Sequence, residues 1–216
     1  MAKKKSYAVI GLGRYGKSVA RELLQNGAEV LAIDIDPEVV NAVAKVVPHC
    51  KCADITNPET IQQLGIADMD AVIIAMASRL EDTVMATMLC KEAGVKHVIV
   101  KCANTLHQRM LLKIGADEVT FPEHESGVRL AKNLVSAGFV DIAALSEDVS
   151  VVELDVKDEW DGKTLVELSL RRKYGINVVG LRKQDKLITN IDPEMILRKD
   201  MTLVVIANKQ ALKKLI

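Results

Sequence analysis

Gly11, Gly13 and Gly16, in the run GLGRYG, are the residues whose types and spacing most directly imply chemistry. Gly11 permits a tight turn out of a strand, Gly13 lets the backbone approach a phosphate, and Gly16 lets the next helix lie close to a sheet. The start of that helix then presents free N–H groups and a positive dipole end to an anion. Asp34 stands 18 residues past Gly16, at the end of the second predicted strand. A carboxylate there accepts both hydroxyls of a ribose and repels a 2′-phosphate, which argues for a nucleotide and against NADP. Arg14 lies inside the loop, where a guanidinium would add a bidentate contact to a di- or triphosphate, including one held by a neighbouring subunit. The plain alternative is an exposed arginine at a helix start.

The elements that must position these groups alternate along the chain. SYAVIG, EVLAID, a short stretch near HCKCA, DAVIIAM, KHVIVKC and EVTF read as strands. RYGKSVARELLQNG, PEVVNAVAKV, PETIQQLG, EDTVMATMLCKEAG and TLHQRMLLKIG read as helices between them, several closed by a glycine. Near-continuous apolar strands separated by helices predict a Rossmann-like, doubly wound parallel sheet. Ligands of such sheets sit outside the carboxyl ends of the strands. The adenine pocket is therefore expected at ADIT, with Asp54 and Ile55, and at AMAS, with Ala75, Met76 and Ala77. Lys101 and Glu123 end or follow later strands on the same rim, where the lysine could meet a phosphate and the acid a divalent cation. Solvated surface charges are the alternative for both.

Residues 122–145 break the rhythm and read as a helix whose apolar stripe is Val128, Leu130, Ala131, Leu134 and Val135. Such a stripe needs a partner, either the next lobe or a second copy of the chain. Beyond it SVVELDV reads as an alternating strand, KTLVELSLRRKYG as one short helix ending at Gly175, INVVGLRK and DKLITN as a hairpin around Gln184 and Asp185, MTLVVIA as a last strand and NKQALKKLI as a terminal helix. This is a small α+β lobe, of a size that favours dimerising or docking.

Composition excludes several classes. The 216 residues are 49% hydrophobic, enough for a core, with a formal charge of +0 and only 3% aromatic residues. No overall basic field draws in nucleic acid or an anionic membrane, stacking platforms are scarce, and no reading helix marks a DNA-binding redox repressor. The apolar runs are too short to span a bilayer and no signal peptide opens the chain, so a cytoplasmic protein is expected. Cys50, Cys52, Cys90 and Cys102 lack the spacing of a zinc site and read as small apolar side chains, with a thiol sensor or metal pair as the alternative.

GLGRYG, Asp34, the spacing after ADIT, KIGADEVTFPEHESG and RRKYGINVVGL together resemble the RCK/KTN family, the cytosolic regulatory subunits and domains of bacterial potassium transporters and channels. Within it the resemblance points to the gating subunits of Ktr-type transporters and runs over nearly the whole chain. It implies an N-terminal domain over 1–140, with a crossover helix at about 123–140 tying two subunits together, and a C-terminal lobe over 141–216. The implied ligand is ATP or ADP, with NAD or NADH able to occupy the same site. The implied site is Gly11, Leu12, Gly13, Arg14, Tyr15, Gly16, Asp34, Asp36, Asp54, Ile55, Ala75, Met76, Ala77, Lys101 and Glu123. In that scheme Arg14 reaches the terminal phosphate of ATP in the partner subunit, Lys101 contacts phosphate and Glu123 helps to hold a cation. Ile55 departs from the family's common alanine, which alters the adenine fit. The resemblance further implies cyclic di-AMP at Arg171, Ile176, Asn177 and Val178. Their chemistry suits it, although RRKYG is also what an ordinary helix C-terminus looks like. Dimers would form an octameric ring beneath a membrane-embedded potassium-translocating subunit.

The competing reading is a small NAD-dependent oxidoreductase. It requires a substrate pocket and a positioned acid or base. His49 and His97 fall at strand starts, on the wrong rim. His107 and His124 lie nearer the ligand but lack an evident orienting partner. The residues therefore favour a sensor over an enzyme.

Overall fold

Apolar residues of both parities along the four central strands bury both faces of the first sheet. Its strands are β1 (Ser6–Ile10), β2 (Glu29–Asp34), β3 (His49–Cys52), β4 (Ala71–Ile74), β5 (Val98–Lys101) and β6 (Glu118–Thr120). Val9, Val30, Ala32 and Ile73 fill the core on one face; Ala8, Ile10, Ile33, Val72, Ile74 and Val98 fill it on the other. Two buried faces require helices on both sides, and hence parallel strands joined by crossovers. The strand order is β3-β2-β1-β4-β5-β6, all parallel. The order reverses between β1 and β4, which opens a crevice at their carboxyl ends.

The intervening helices are α1 (Arg14–Gln25), α2 (Pro37–Ala44), α3 (Pro58–Gln63), α4 (Leu80–Glu92) and α5 (Thr105–Ile114). Asp36, Asn57 and Asn104 cap α2, α3 and α5 through their side-chain oxygens. Gly115 closes α5 at φ +119°. The computed structural model describes residues 4–76, 79–135, 139–146, 148–184 and 186–215, without the side chains of Lys132, Val135, Phe139, Asp141 and Ala144. The chain divides into two compact units, Met1–Glu125 and Ser126–Ile216.

The helix α6 spans Pro122–Val135, and Val128, Leu130 and Leu134 on it are exposed. The expected helix over 122–145, with its crossover to about 140, is shorter than predicted. Phe139–Ala144 forms strand β7 instead and pairs antiparallel with β8 (Val149–Asp155). FVDIAA satisfies both a helical and an alternating period, and pairing along β8 supplies its backbone partners.

The second sheet is completed by β9 (Asn177–Lys183), β10 (Lys186–Ile188) and β11 (Met201–Asn208), in the antiparallel order β10-β9-β11-β8-β7. Val152, Leu154, Leu181, Leu203 and Val205 pack on Trp160, Ile176 and Leu197. The single helix expected at KTLVELSLRRKYG is two, α7 (Leu165–Leu168) and α8 (Leu170–Tyr174). Ser169 between them takes φ +48°, which no continuing helix tolerates. The hairpin at Gln184 is present, with Gln184 at φ +47°; Asp185 lies outside the described residues. The last helix, α9 (Lys209–Lys213), is capped by Asn208. Among the described residues no helix is long and apolar enough to cross a membrane.

Candidate nucleotide-binding site

The glycine loop leaves β1 and enters α1 with almost no room to spare. A Cβ on Gly16 would stand 1.9 Å from the Gly11 carbonyl oxygen, so α1 reaches this close to the loop only without a side chain. Gly11 sits at φ +88°, and a Cβ there would stand 2.8 Å from the Met76 nitrogen. Gly13 is the opposite case. It has open space where a Cβ would go. It is the N-cap of α1, no side chain caps the helix, and no acid occupies its first turn. The first N–H groups of α1 are thus left for an anion approaching past Gly13.

Asp34 ends β2 and is bound to the loop. Its Oδ2 accepts from Leu12 N at 2.6 Å and its Oδ1 from Asp36 N at 2.9 Å. Each oxygen retains lone-pair capacity for a ribose hydroxyl while the backbone bonds fix its direction. Leu12 contributes only this backbone contact, because its side chain is fully buried against Val9 and Val30. Asp36 turns away to cap α2, accepting from Glu38 N at 2.8 Å.

A cavity of about 340 Å³ opens beside the loop, lined by Ile10, Gly11, Gly13, Ile33, Asp34, Ile35, Ala53, Asp54, Ile55, Thr56, Ala75, Met76 and Asp82. Of the expected residues it gathers Gly11, Gly13, Asp34, Asp54, Ile55, Ala75 and Met76. Ala77 lies outside the described residues. Ile55 is almost fully buried and forms part of the wall. Ala53 and Thr56 complete the expected ADIT run, whereas Ile35 and Asp82 were not anticipated. Ile35 carries the clearest sequence signal, an apolar side chain directly after Asp34 that stays 65% exposed. Thr56 orders Asp54, whose Oδ1 accepts from the Thr56 hydroxyl at 2.7 Å and from Thr56 N at 2.9 Å. Those bonds hold the Asp54 carboxyl below the usual carboxylate range. Asp82 lies 3.5 Å from the Arg79 guanidinium in the first turn of α4. Thr83 Oγ1 stands 3.1 Å from the carbonyls of both Met76 and Arg79 and ties the two ends of that loop to α4.

Arg14, Tyr15, Lys101 and Glu123 lie outside the cavity lining but on the same rim. Arg14 is exposed at the first position of α1. Lys101 Nζ donates to Glu123 Oε1 at 2.6 Å and lies 5.7 Å from the centre of the Tyr15 ring. The lysine bond, foremost, holds the Glu123 carboxyl below its ordinary value. Among the described residues no three His, Cys, Asp or Glu side chains gather as a metal site. His124 stacks on Phe121 with ring centres 5.2 Å apart. Cys90 and Cys102 are buried; burial pushes the Cys90 thiol up to about 12. Cys50 is partly buried, and Cys52 is exposed with its thiol directed to the Ile35 carbonyl.

In the second unit a cleft of about 520 Å³ is lined by Arg171, Arg172, Ile176, Asn177, Val178 and their neighbours on α7 and α8. The Ile176 side chain is fully buried and belongs to the wall; Arg171 and Asn177 are exposed.

A family model described as the TrkA-N domain matches residues 7–122, and one described as the TrkA-C domain matches residues 149–216. The chain is similar to Ktr system potassium uptake protein C of Bacillus subtilis (strain 168), 37% identical over 203 residues that make up 94% of this chain and 92% of that protein. It is similar to Ktr system potassium uptake protein A of the same organism, 35% identical over 212 residues, 98% of this chain and 96% of that one. Among solved structures, the GsuK channel bound to NAD matches with TM-score 0.71 at 16% identity, over 98% of this chain and 38% of that chain. GsuK bound to ADP matches with TM-score 0.54 at 12% identity, over 62% of this chain and 36% of that chain. The GsuK likeness is one of fold, and this chain spans well under half of the channel's length.

Proposed function

The chain belongs to the family built from TrkA-N and TrkA-C (RCK) domains, and from that premise we propose that it is a nucleotide-sensing regulatory subunit of Ktr-type potassium uptake, not an enzyme. The observation that carries the reading is the uncapped start of α1 at Gly13, beside an Asp34 carboxylate aimed by two backbone N–H groups. That arrangement suits a ribose joined to phosphates. The GsuK structures with NAD and with ADP support a nucleotide on this fold.

ATP or ADP binds in the cleft of the first unit, with NAD or NADH as competing occupants. Arg14 is the discriminating residue. A ligand shifts a conformational equilibrium only by its difference in affinity for the two states. One further charge-assisted bond to the terminal phosphate, about 1.5–3 kcal/mol, biases that equilibrium roughly 10- to 150-fold per site. The exposed stripe of Val128, Leu130 and Leu134 on α6 favours a second copy of the chain as its cover. Dimers assembling into an octameric ring would pass the bias to a membrane-embedded potassium-translocating subunit at the inner face of the membrane. Cyclic di-AMP is the proposed ligand of the cleft at Arg171, Asn177 and Val178, where guanidinium, amide and apolar wall suit phosphate, base edge and ring.

Calorimetric titration with ATP, ADP, NADH and cyclic di-AMP, with magnesium present, tests the reading. The expected result is ATP and ADP competing for one site while cyclic di-AMP occupies another. Binding of NADH alone would overturn it in favour of redox chemistry.

A further inference from the structure

Tyr15 follows Arg14 in the first turn of α1, yet its ring does not line the cavity. The ring lies beside an ammonium group instead. Lys101 Nζ is 5.7 Å from the ring centre and 2.6 Å from Glu123 Oε1. The Lys101 side chain is only 15% exposed, whereas Glu123 is 64% exposed. The cation is thus the enclosed member of the pair, and Glu123 can leave toward solvent with little repacking. Through Tyr15 the same ammonium group is kept beside the start of α1, where the free N–H groups await an anion.

We propose that Tyr15 and Glu123 are positioning residues for Lys101: the Tyr15 ring holds the ammonium group at the phosphate end of the cleft, and Glu123 competes with the nucleotide phosphate for it. The inference rests on the nucleotide reading and deepens it. An ammonium group carries three donors. It can turn from one carboxylate oxygen to a phosphate oxygen without leaving the π face that steadies it. When the phosphate takes Lys101, the Glu123 carboxylate is released at the first turn of α6. It is then open to a cation or another donor. Nucleotide binding and the state of Glu123 are linked through one side chain, and such linkage is reciprocal.

A double-mutant cycle reads the competition directly. ADP affinity is measured in EDTA, so that no divalent cation intervenes, for the full chain, Glu123→Gln, Lys101→Met and the pair together. Glu123→Gln is expected to tighten ADP about tenfold, because a phosphate no longer has to displace a carboxylate. Lys101→Met is expected to weaken ADP, and in that background Glu123→Gln should change nothing. Equal tightening in both backgrounds would mean that Glu123 merely repels phosphate, and would overturn the competition. No tightening in the native background would overturn it as well. Tyr15→Phe keeps the π face and should leave affinity unchanged, whereas Tyr15→Leu should weaken ADP about threefold, and only while Lys101 is present. A Tyr15→Leu loss that persists in Lys101→Met would reduce Tyr15 to a packing residue. Thermal melting accompanies each variant, and Lys101→Gln replaces Lys101→Met if the latter unfolds. Absence of ADP binding by the native chain, by contrast, would overturn the nucleotide reading itself.

Discussion

The cleft of the first unit is lined by three carboxylates, Asp34, Asp54 and Asp82, and among the described residues by no cation. The cleft of the second unit carries Arg171 and Arg172 and, among the described residues, no carboxylate. The first therefore offers an anion its backbone, through the uncapped turn at Gly13, while its side chains suit hydroxyl and amine donors. The second offers an anion side-chain charge on a surface helix. Backbone recognition is built into the strand–loop–helix geometry, where only access past Gly13 can be altered without touching the fold. Side-chain recognition can be altered alone. A sensor that answers to two ligands gains from that division, since one response can change while the other stays.

The strongest way to break this comparison is at Gly16. Gly16→Ala would force a Cβ to within 1.9 Å of the Gly11 carbonyl. A loss of about 3 kcal/mol or more is expected in denaturant unfolding, with nucleotide binding lost as well. Gly13→Ala is its control. With open space at that position, stability should hardly move, while phosphate binding weakens about tenfold because the added methyl stands where the ligand must approach. If both variants unfold alike, the loop is only a turn.

Next in size is Arg171→Ala. Removing one charge-assisted partner should cost cyclic di-AMP about tenfold or more in affinity, with ATP and ADP binding unchanged. A matching loss of ATP affinity would show that the two clefts are not independent recognisers. Arg14→Ala sharpens the first cleft from within. ADP binding should persist, and most of the ATP/ADP difference, about tenfold, should vanish. Equal loss for both ligands would make Arg14 an ordinary surface charge.

The smallest effect concerns acid. Two bonds from Thr56 hold the Asp54 carboxyl below its ordinary range in the folded chain. Its contribution is complete above the unfolded carboxylate pKa, about 3.9, and disappears as pH falls through the lowered value. Thr56→Val removes the hydroxyl bond and should raise the pH at which the first unit loses nucleotide, with little change at neutral pH. An unshifted acid limb would assign no role to that bond.

The glycines and Asp34 were legible in the sequence because their roles are local. A strand end, a turn and a helix start fall within one short run, and the acid closes the next strand. Lys101 and Glu123 were legible as rim residues, since the carboxyl ends of parallel strands share a side. Their mutual bond was not, because it depends on how β5 and the start of α6 meet in three dimensions. Asp82 escaped because its direction depends on where α4 begins. The break at Ser169 left no trace in ELSLRR, whose residues all suit a helix. FVDIAA was ambiguous in period, and only the antiparallel edge offered by β8 decides it.

The central claim is that the nucleotide is held for information, and the direct test is small-angle scattering of the full chain, saturated first with ATP and then with ADP. The account predicts two different profiles from the same assembly, and one common profile after Arg14→Ala. Identical profiles for the native chain at verified saturation would contradict it, and would leave the cleft a nucleotide store without a switch.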